Sequence, residues 1–355
     1  MADEVMTPHQ NYLDLLKSLE ESYKELKKYC GDRVEENKIV LKPETDDFIR
    51  KLLDFQIPQN LEYAERLAQH LFRIRFTYVN AYGYRKMFLE LLKMMGKNRA
   101  NIPVKILSIG CGNGIDCWAV HEARRMYDEA QETAAGQTSE TKKNKIYLNY
   151  TGVDKYSWDQ PYFQGGQYVD YRTSENISDF LSNQSYLKQN VILFAKVLNE
   201  LDDEEHTFSK MCDIFKTIDF KYKDAKSGSW KYSNRVYFLF FLRTRPKKDG
   251  DYGFWPDDIE KINKLQDALG HDRNGYHFKP LHYPTTFRVK EKGQDCPIDQ
   301  CGEDFGYIYN QFYAPETDSG SYIDLLLSRT LDRSPMRHMH NIGYQIFTFV
   351  REEQA

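Results

Sequence analysis

No stretch of this 355-residue chain approaches the ~20 apolar residues that cross a bilayer, so no membrane-spanning helix is expected. The longest apolar run, Val236–Leu242, has only the length of a strand. Cysteine is scarce. Six residues at irregular spacings build no disulfide framework, and a reducing, cytoplasmic setting is the expectation. The N-terminal segment mixes Asp, Glu and Lys and lacks the apolar stretch of a secretory signal. Basic charge is not in excess either. Lys and Arg number 49 against 53 Asp and Glu, a net charge of −4, so no global positive field announces a nucleic-acid ligand. There is no internal repeat.

Aromatic residues are plentiful, with 26 Tyr and 21 Phe, and tyrosine suits pockets and interfaces as well as cores. Periodicity divides the chain in four. Residues 1–100 read as a helical extension: Leu15, Leu16, Leu19, Tyr23 and Leu26 recur at helical spacing, and 42–58 forms a second helix capped by Thr45 and closed by Pro58. A long pattern from Asn60 to about Met95 follows, with a break expected near Gly83. Its Arg66, Arg73, Arg75, Arg85 and Lys86 alternate with Phe and Tyr. They form either a solvated helix face or a contact surface for RNA.

From residue 101 to 245 short apolar runs alternate with helical stretches. Strands are expected at 104–110, 146–154, 167–171, 190–198 and 235–243, with a last one at 344–351 inside a 336–355 segment. Runs apolar on both faces suit buried parallel strands. The fold class is therefore α/β, a doubly wound, mostly parallel Rossmann-like sheet. The polar stretch 129–145 reads as a loop. Residues 246–335 read as an insertion before the last strand, a candidate substrate lid. It holds one clear helix that starts at Pro256 and stops before Gly270.

The sharpest signal is "LSIGCGNG", a strand running into Gly110, Gly112 and Gly114 and then into a helix. Such glycines permit positive φ and a close approach to the backbone, and the helix behind presents N–H groups. The spacing lacks the third glycine of a dinucleotide fingerprint, which argues against a nicotinamide-linked oxidoreductase. Asp154 ends the second strand, where a carboxylate can accept from ribose hydroxyls. Asp170 lies in the third run, open between an adenine contact and a turn acid. Asn199 and Glu200 follow the fourth, open between a helix start and a site that orients and deprotonates an acceptor.

These residues in this order resemble the class I S-adenosylmethionine-dependent methyltransferases over roughly 103–244. "LSIGCGNG" is similar to their first motif, "GVD" to the second, "VD" to the third and "FAKVLNEL" to the fourth. The resemblance implies S-adenosyl-L-methionine as cofactor. Ser108, Gly110, Cys111, Gly112, Asn113 and Gly114 would then lie along its methionine part, and Asp154 would hold the ribose. Asp170 would face adenine, with Lys196, Val197 and Asn199 edging the acceptor. Many members carry an acid where Ser108 stands, and Ser108 brings no charge to the methionine ammonium. "YAERL" at 63–67 and "VLNEL" at 197–201 are also similar to the Rsm22-like ribosomal RNA methyltransferases. The alternative is a catalytically idle scaffold of this fold that binds a protein or RNA partner.

Cys111 reads as a small residue fitted to the turn and Cys117 as core. Cys296 and Cys301, with His271, His277, His282, His338 and His340 around them, lack the spacing of a structural zinc site, so no metal is expected. The aromatic stretches 251–255 and 276–283 are lid candidates, or ordinary packing.

Overall fold

The computed structural model describes residues 9–32, 34–35, 38–41, 66–97, 104–135, 147–158, 169–195, 197–198, 201, 207–224, 227–246, 252–273, 275–281, 285–288, 303–327 and 342–353. In chain order the described elements begin with α1 (Gln10–Cys30), β1 (Val34–Glu35), β2 (Lys38–Ile39) and α2 (Arg66–Lys97). Next come β3 (Val104–Ile109), α3 (Ile115–Ala135), β4 (Leu148–Asp154), β5 (Val169–Thr173), α4 (Ile177–Ser182), β6 (Tyr186–Leu187) and β7 (Val191–Ala195). They continue as α5 (Thr207–Phe215), β8 (Asp219–Lys223), β9 (Trp230–Tyr232), β10 (Arg235–Pro246), β11 (Tyr252–Phe254), α6 (Pro256–Leu269), β12 (Tyr276–Pro280) and β13 (Thr285–Arg288). The last are α7 (Glu303–Ile308), a π-turn (Tyr309–Tyr313), α8 (Asp318–Leu327) and β14 (Ile342–Glu353).

The chain divides into two compact units. One comprises residues 1–82, 158–162 and 291–340, and the other 83–157, 163–290 and 341–355. In the first, α1 begins where His9 Nδ1 accepts from the amide of Asn11 and ends at Gly31, whose φ of 83° no β-carbon would tolerate cheaply. Tyr23 of α1 meets Phe312 and Tyr322 edge-on, and the Tyr322 hydroxyl donates to the carbonyl of Gly31 at 2.8 Å. The predicted helix at 42–58 lies outside the described residues. So do Cys296, Cys301, His282, His338 and His340. Among the described residues no three His, Cys, Asp or Glu side chains are grouped to hold a metal, and no helix is long and apolar enough to cross a membrane.

Helix α2 runs unbroken through Gly83, against the expected break. A single glycine costs a helix about 1 kcal/mol, which the buried Ala81, Tyr82, Tyr84, Met87 and Phe88 around it offset. Of the five basic residues between Arg66 and Lys86, three, Arg73, Arg75 and Arg85, are buried. The alternation with Phe and Tyr signals a helix covered on most sides, with guanidinium stems packed inside.

The second unit holds the main sheet, in the order β12-β14-β10-β7-β3-β4-β5, with β11 added to β10 and β13 to β14. Strands β5, β4, β3, β7 and β10 are parallel, while β14 runs antiparallel between β10 and β12. The fold is the expected doubly wound α/β sheet. Its chain winds outward from β3 through β4 and β5, then returns to build β7 and β10 on the other side. The order therefore reverses between β3 and β7, and the crevice beyond their carboxyl ends is where such folds take ligands.

One face of the sheet, with Leu107, Ile109, Ile192, Phe194, Phe238 and Phe240, packs on α4, α5 and α6. Phe194 and Phe240 stack at 5.1 Å. Strands β12 and β13 pair with β14, so the middle of the 246–335 segment contributes strands to the sheet. Helix α3 extends to Ala135 and takes in the first part of the stretch read as a loop. Alanines and Glu–Arg pairs, such as Arg125 with Glu129 at 2.7 Å, sustain the extra turns.

Candidate active site

At the carboxyl end of β3 the chain turns through Gly110, Gly112 and Gly114 with φ of 70°, 53° and 75°. All three lie in the left-handed region that favours glycine. The turn is bonded largely to itself and its neighbours. Gly110 N–H and Cys111 N–H both donate to the Val153 carbonyl, and Gly114 N–H donates to that of Cys111. Ile115 N–H is capped by Asn113 Oδ1 at 3.3 Å. Gly112 N–H donates to Asp154 Oδ2 at 2.7 Å, and Tyr156 N–H to Asp154 Oδ1 at 3.0 Å. Asp154 thus points at the bend, as its place in the sequence suggested.

The glycines serve packing more than the sequence implied. A β-carbon on Gly110 would lie 2.7 Å from Cβ of Val197, and one on Gly114 would lie 2.2 Å from the Tyr171 hydroxyl. Side chains of the protein occupy the close approach expected for a ligand at these two positions. Val197 is thereby placed against the turn. Lys196, Asn199 and Glu200 lie outside the described residues.

Ser108 is fully buried, and its hydroxyl donates to Asp116 Oδ2. Asp116, in the first turn of α3, is fully buried too, and Oδ2 also accepts from the Tyr150 hydroxyl at 2.6 Å. Its Oδ1 has no hydrogen-bond partner among the described residues. Burial pushes this carboxyl up to about 6, against the pull of the two hydroxyls and nearby backbone amides. Asn113 Nδ2, three residues earlier, is likewise buried without a bonded partner among the described residues, and the Tyr171 hydroxyl of β5 lies beside the Cys117 thiol. Burial, then the charges of Asp154 and Asp116, hold the Cys111 thiol well above its usual range, so it is no nucleophile.

Asp170 does not join this group. It sits three rungs before Thr173, the strand end that faces Asp154, and pairs with Arg172 at 2.7 Å on the exposed surface. Sequence reading missed Asp116, which looked like an ordinary first-turn acid. Its one signal was the uncharged Ser108 eight positions earlier. Lys261 was also missed: buried on α6, it donates to the carbonyl of Leu198 at 2.7 Å and pins the segment after β7.

Chemically, the amides of 110, 111, 112, 114 and 115 are already bonded, and two carboxylates, Asp154 and Asp116, bracket the bend. This is a poor cradle for a pyrophosphate and a suitable one for a cation carrying hydroxyls.

No family model matches the chain, and no curated protein sequence does. Solved structures similar to it include the plantazolicin methyltransferase BpumL in complex with a triazolic desmethylPZN analog and SAH, at 12% identity and a TM-score of 0.31, covering 94% of this chain and 98% of that one. A SAM-dependent methyltransferase from Archaeoglobus fulgidus is similar at 11% identity and a TM-score of 0.29, over 74% and 94% of the two chains. The cyclase SpnF is similar at 12% identity and a TM-score of 0.30, over 71% and 76%. These are likenesses of fold, and folds host unrelated chemistries, so what the site does rests on its own residues.

Proposed function

We propose that the protein is an S-adenosylmethionine-dependent methyltransferase. The observation that carries this reading is the pair of carboxylates around a glycine turn whose amides are bonded internally, at the point where the strand order reverses. A sulfonium donor with a ribose matches it in charge. Asp154 accepts from two backbone N–H groups at the bend, and in this reading the same carboxylate meets the ribose hydroxyls. Val197, packed on Gly110, borders the side from which an acceptor would approach.

A bound donor supplies an electrophilic methyl group. The protein's share is alignment of the acceptor in line with the breaking bond and exclusion of water. In this reading Asn199 would orient the acceptor and Glu200 would receive its proton where it carries one.

Isothermal titration with S-adenosylmethionine and S-adenosylhomocysteine tests the reading. Binding is expected, NADH is expected not to bind, and Asp154→Asn should weaken the adenosyl ligands by roughly 10- to 100-fold. Absence of binding at millimolar ligand would end it. A ligand that binds while no acceptor in a lysate takes up labelled methyl would favour the idle scaffold.

A further inference from the structure

The amino ends of the same parallel strands carry a feature unrelated to the glycine turn. There β8 pairs with β6 on one side and β9 on the other, a small three-stranded sheet whose outer strands, among the described residues, are β6 and β9. Register places Lys221 opposite Tyr232 and Lys223 opposite Trp230. Trp230 and Tyr232 are 48% and 42% exposed, unusual for rings of that size. The hairpin that presents them is tied by Asp224, whose side chain accepts from Ser227 N–H at 2.8 Å.

Rings and cations alternate along this face. Lys188 lies 5.7 Å from the Trp230 ring, which meets Tyr186 edge-on at 5.0 Å. Lys221 lies 5.7 Å from Tyr186 and 4.8 Å from Tyr232. Arg351, at the end of β14, is clamped between Tyr232 at 4.0 Å and Tyr276 at 3.8 Å. Its guanidinium has no hydrogen-bond or ion-pair acceptor among the described residues, and Nε is buried without one. Two carboxylates lie beside the row: Asp219 accepts from Tyr276 and pairs with Lys221, and Asp224 pairs with Lys231, which leaves Lys188 and Arg351 as the cations of the row that are not paired with either. A flat guanidinium held rigid between two rings, with its fork unspent, is made for a phosphate.

We propose that this row is a binding surface for single-stranded RNA. Cations spaced between rings match a chain whose phosphates alternate with bases, and an exposed indole offers a base a stacking partner. A phosphopeptide would need cations gathered at one point instead. Tyrosine hydroxyls along the row give a 2′-hydroxyl its partners, which favours RNA over DNA. The surface lies at the opposite end of the strands from the glycine turn, roughly 20 Å away along the six residues of β3. It would therefore anchor a long ligand at a distance from the site of chemistry.

Fluorescence anisotropy of a labelled single-stranded RNA of roughly 12 nucleotides, at about 50 mM salt, tests this on the full chain. Trp230→Ala and Lys188→Glu alter exposed side chains and should each weaken binding at least about 10-fold while circular dichroism stays unchanged. Arg351→Gln should make the dependence of log affinity on log salt shallower by about one. Failure of the folded wild type to bind would overturn the proposal, and so would unchanged affinity in the first two variants. Tighter binding of DNA of equal length, or of a phosphoserine peptide, would also overturn it. Donor binding is a separate titration, so this proposal and the methyltransferase reading can fail independently.

Discussion

Replacing Asp116 by Asn should change how the local stability of β3 and α3 depends on pH. The folded carboxyl titrates near 6 and its ordinary value is 3.8, so its stabilising contribution is complete below about pH 4 and is lost as pH rises through 6. At 1.36 kcal/mol per pKa unit this amounts to about 3 kcal/mol. His121, five residues along the same helix, works the other way. Burial, aided by Arg124, lowers it from 6.5 to about 4, so its contribution is present above 6.5 and is lost as pH falls toward 4. That loss is also about 3 kcal/mol. In the wild type the two nearly cancel. Asp116→Asn keeps an oxygen for the Ser108 and Tyr150 hydroxyls but cannot ionise. Relative to wild type the variant should lose about 3 kcal/mol between pH 6.5 and 4, because the effect of His121 is left unopposed. Hydrogen exchange of β3 and α3 amides, corrected for the intrinsic pH dependence of exchange, reads this directly. The difference between the two proteins removes every other titrating group. A variant that parallels the wild type across the window would refute the claim that Asp116 is held charged at a cost.

His121→Gln should show the mirror image, gaining stability relative to wild type as pH falls over the same range, by the same measurement. Gly110→Ala should destabilise by more than about 1 kcal/mol in denaturant titration, because φ is positive there. Val197→Ala should not rescue it, since Cβ of Val197 is itself the atom 2.7 Å away. Lys261→Met removes the bond to Leu198 and should lower the rate of methyl transfer more than it weakens the donor, as seen by comparing turnover with calorimetry.

Strands β3, β7 and β10 were legible because each is a short run apolar on both faces, and the glycine turn because only a few backbones need three such residues in five. The β8–β9 hairpin was not. "DFKYK" and "WKY" alternate polar and aromatic residues over too few positions to stand out from a loop. The buried arginines of α2 defeated the rule that charge marks a solvated face, and for Arg73 the partner comes from an element distant in sequence, Ser22 of α1 at 3.4 Å. Asp116 was hidden for a related reason. Acids are common in first helical turns, and nothing in one dimension shows that two hydroxyls from separate strands converge on this one.

Strand β10 carries the most apolar run of the chain, and the neighbour that covers one of its edges, β14, begins at Ile342, about a hundred residues after Arg235. At ribosomal speeds of roughly 5–20 residues per second, that edge waits on the order of 5–20 s for its partner. Throughout that interval a nascent chain displays Val236–Leu242 with half its backbone groups unmatched, an invitation to pair with a neighbouring chain. Yield during synthesis should therefore depend more on how quickly the last strand arrives, or on a holdase that shields β10 until it does, than on the stability of the finished sheet.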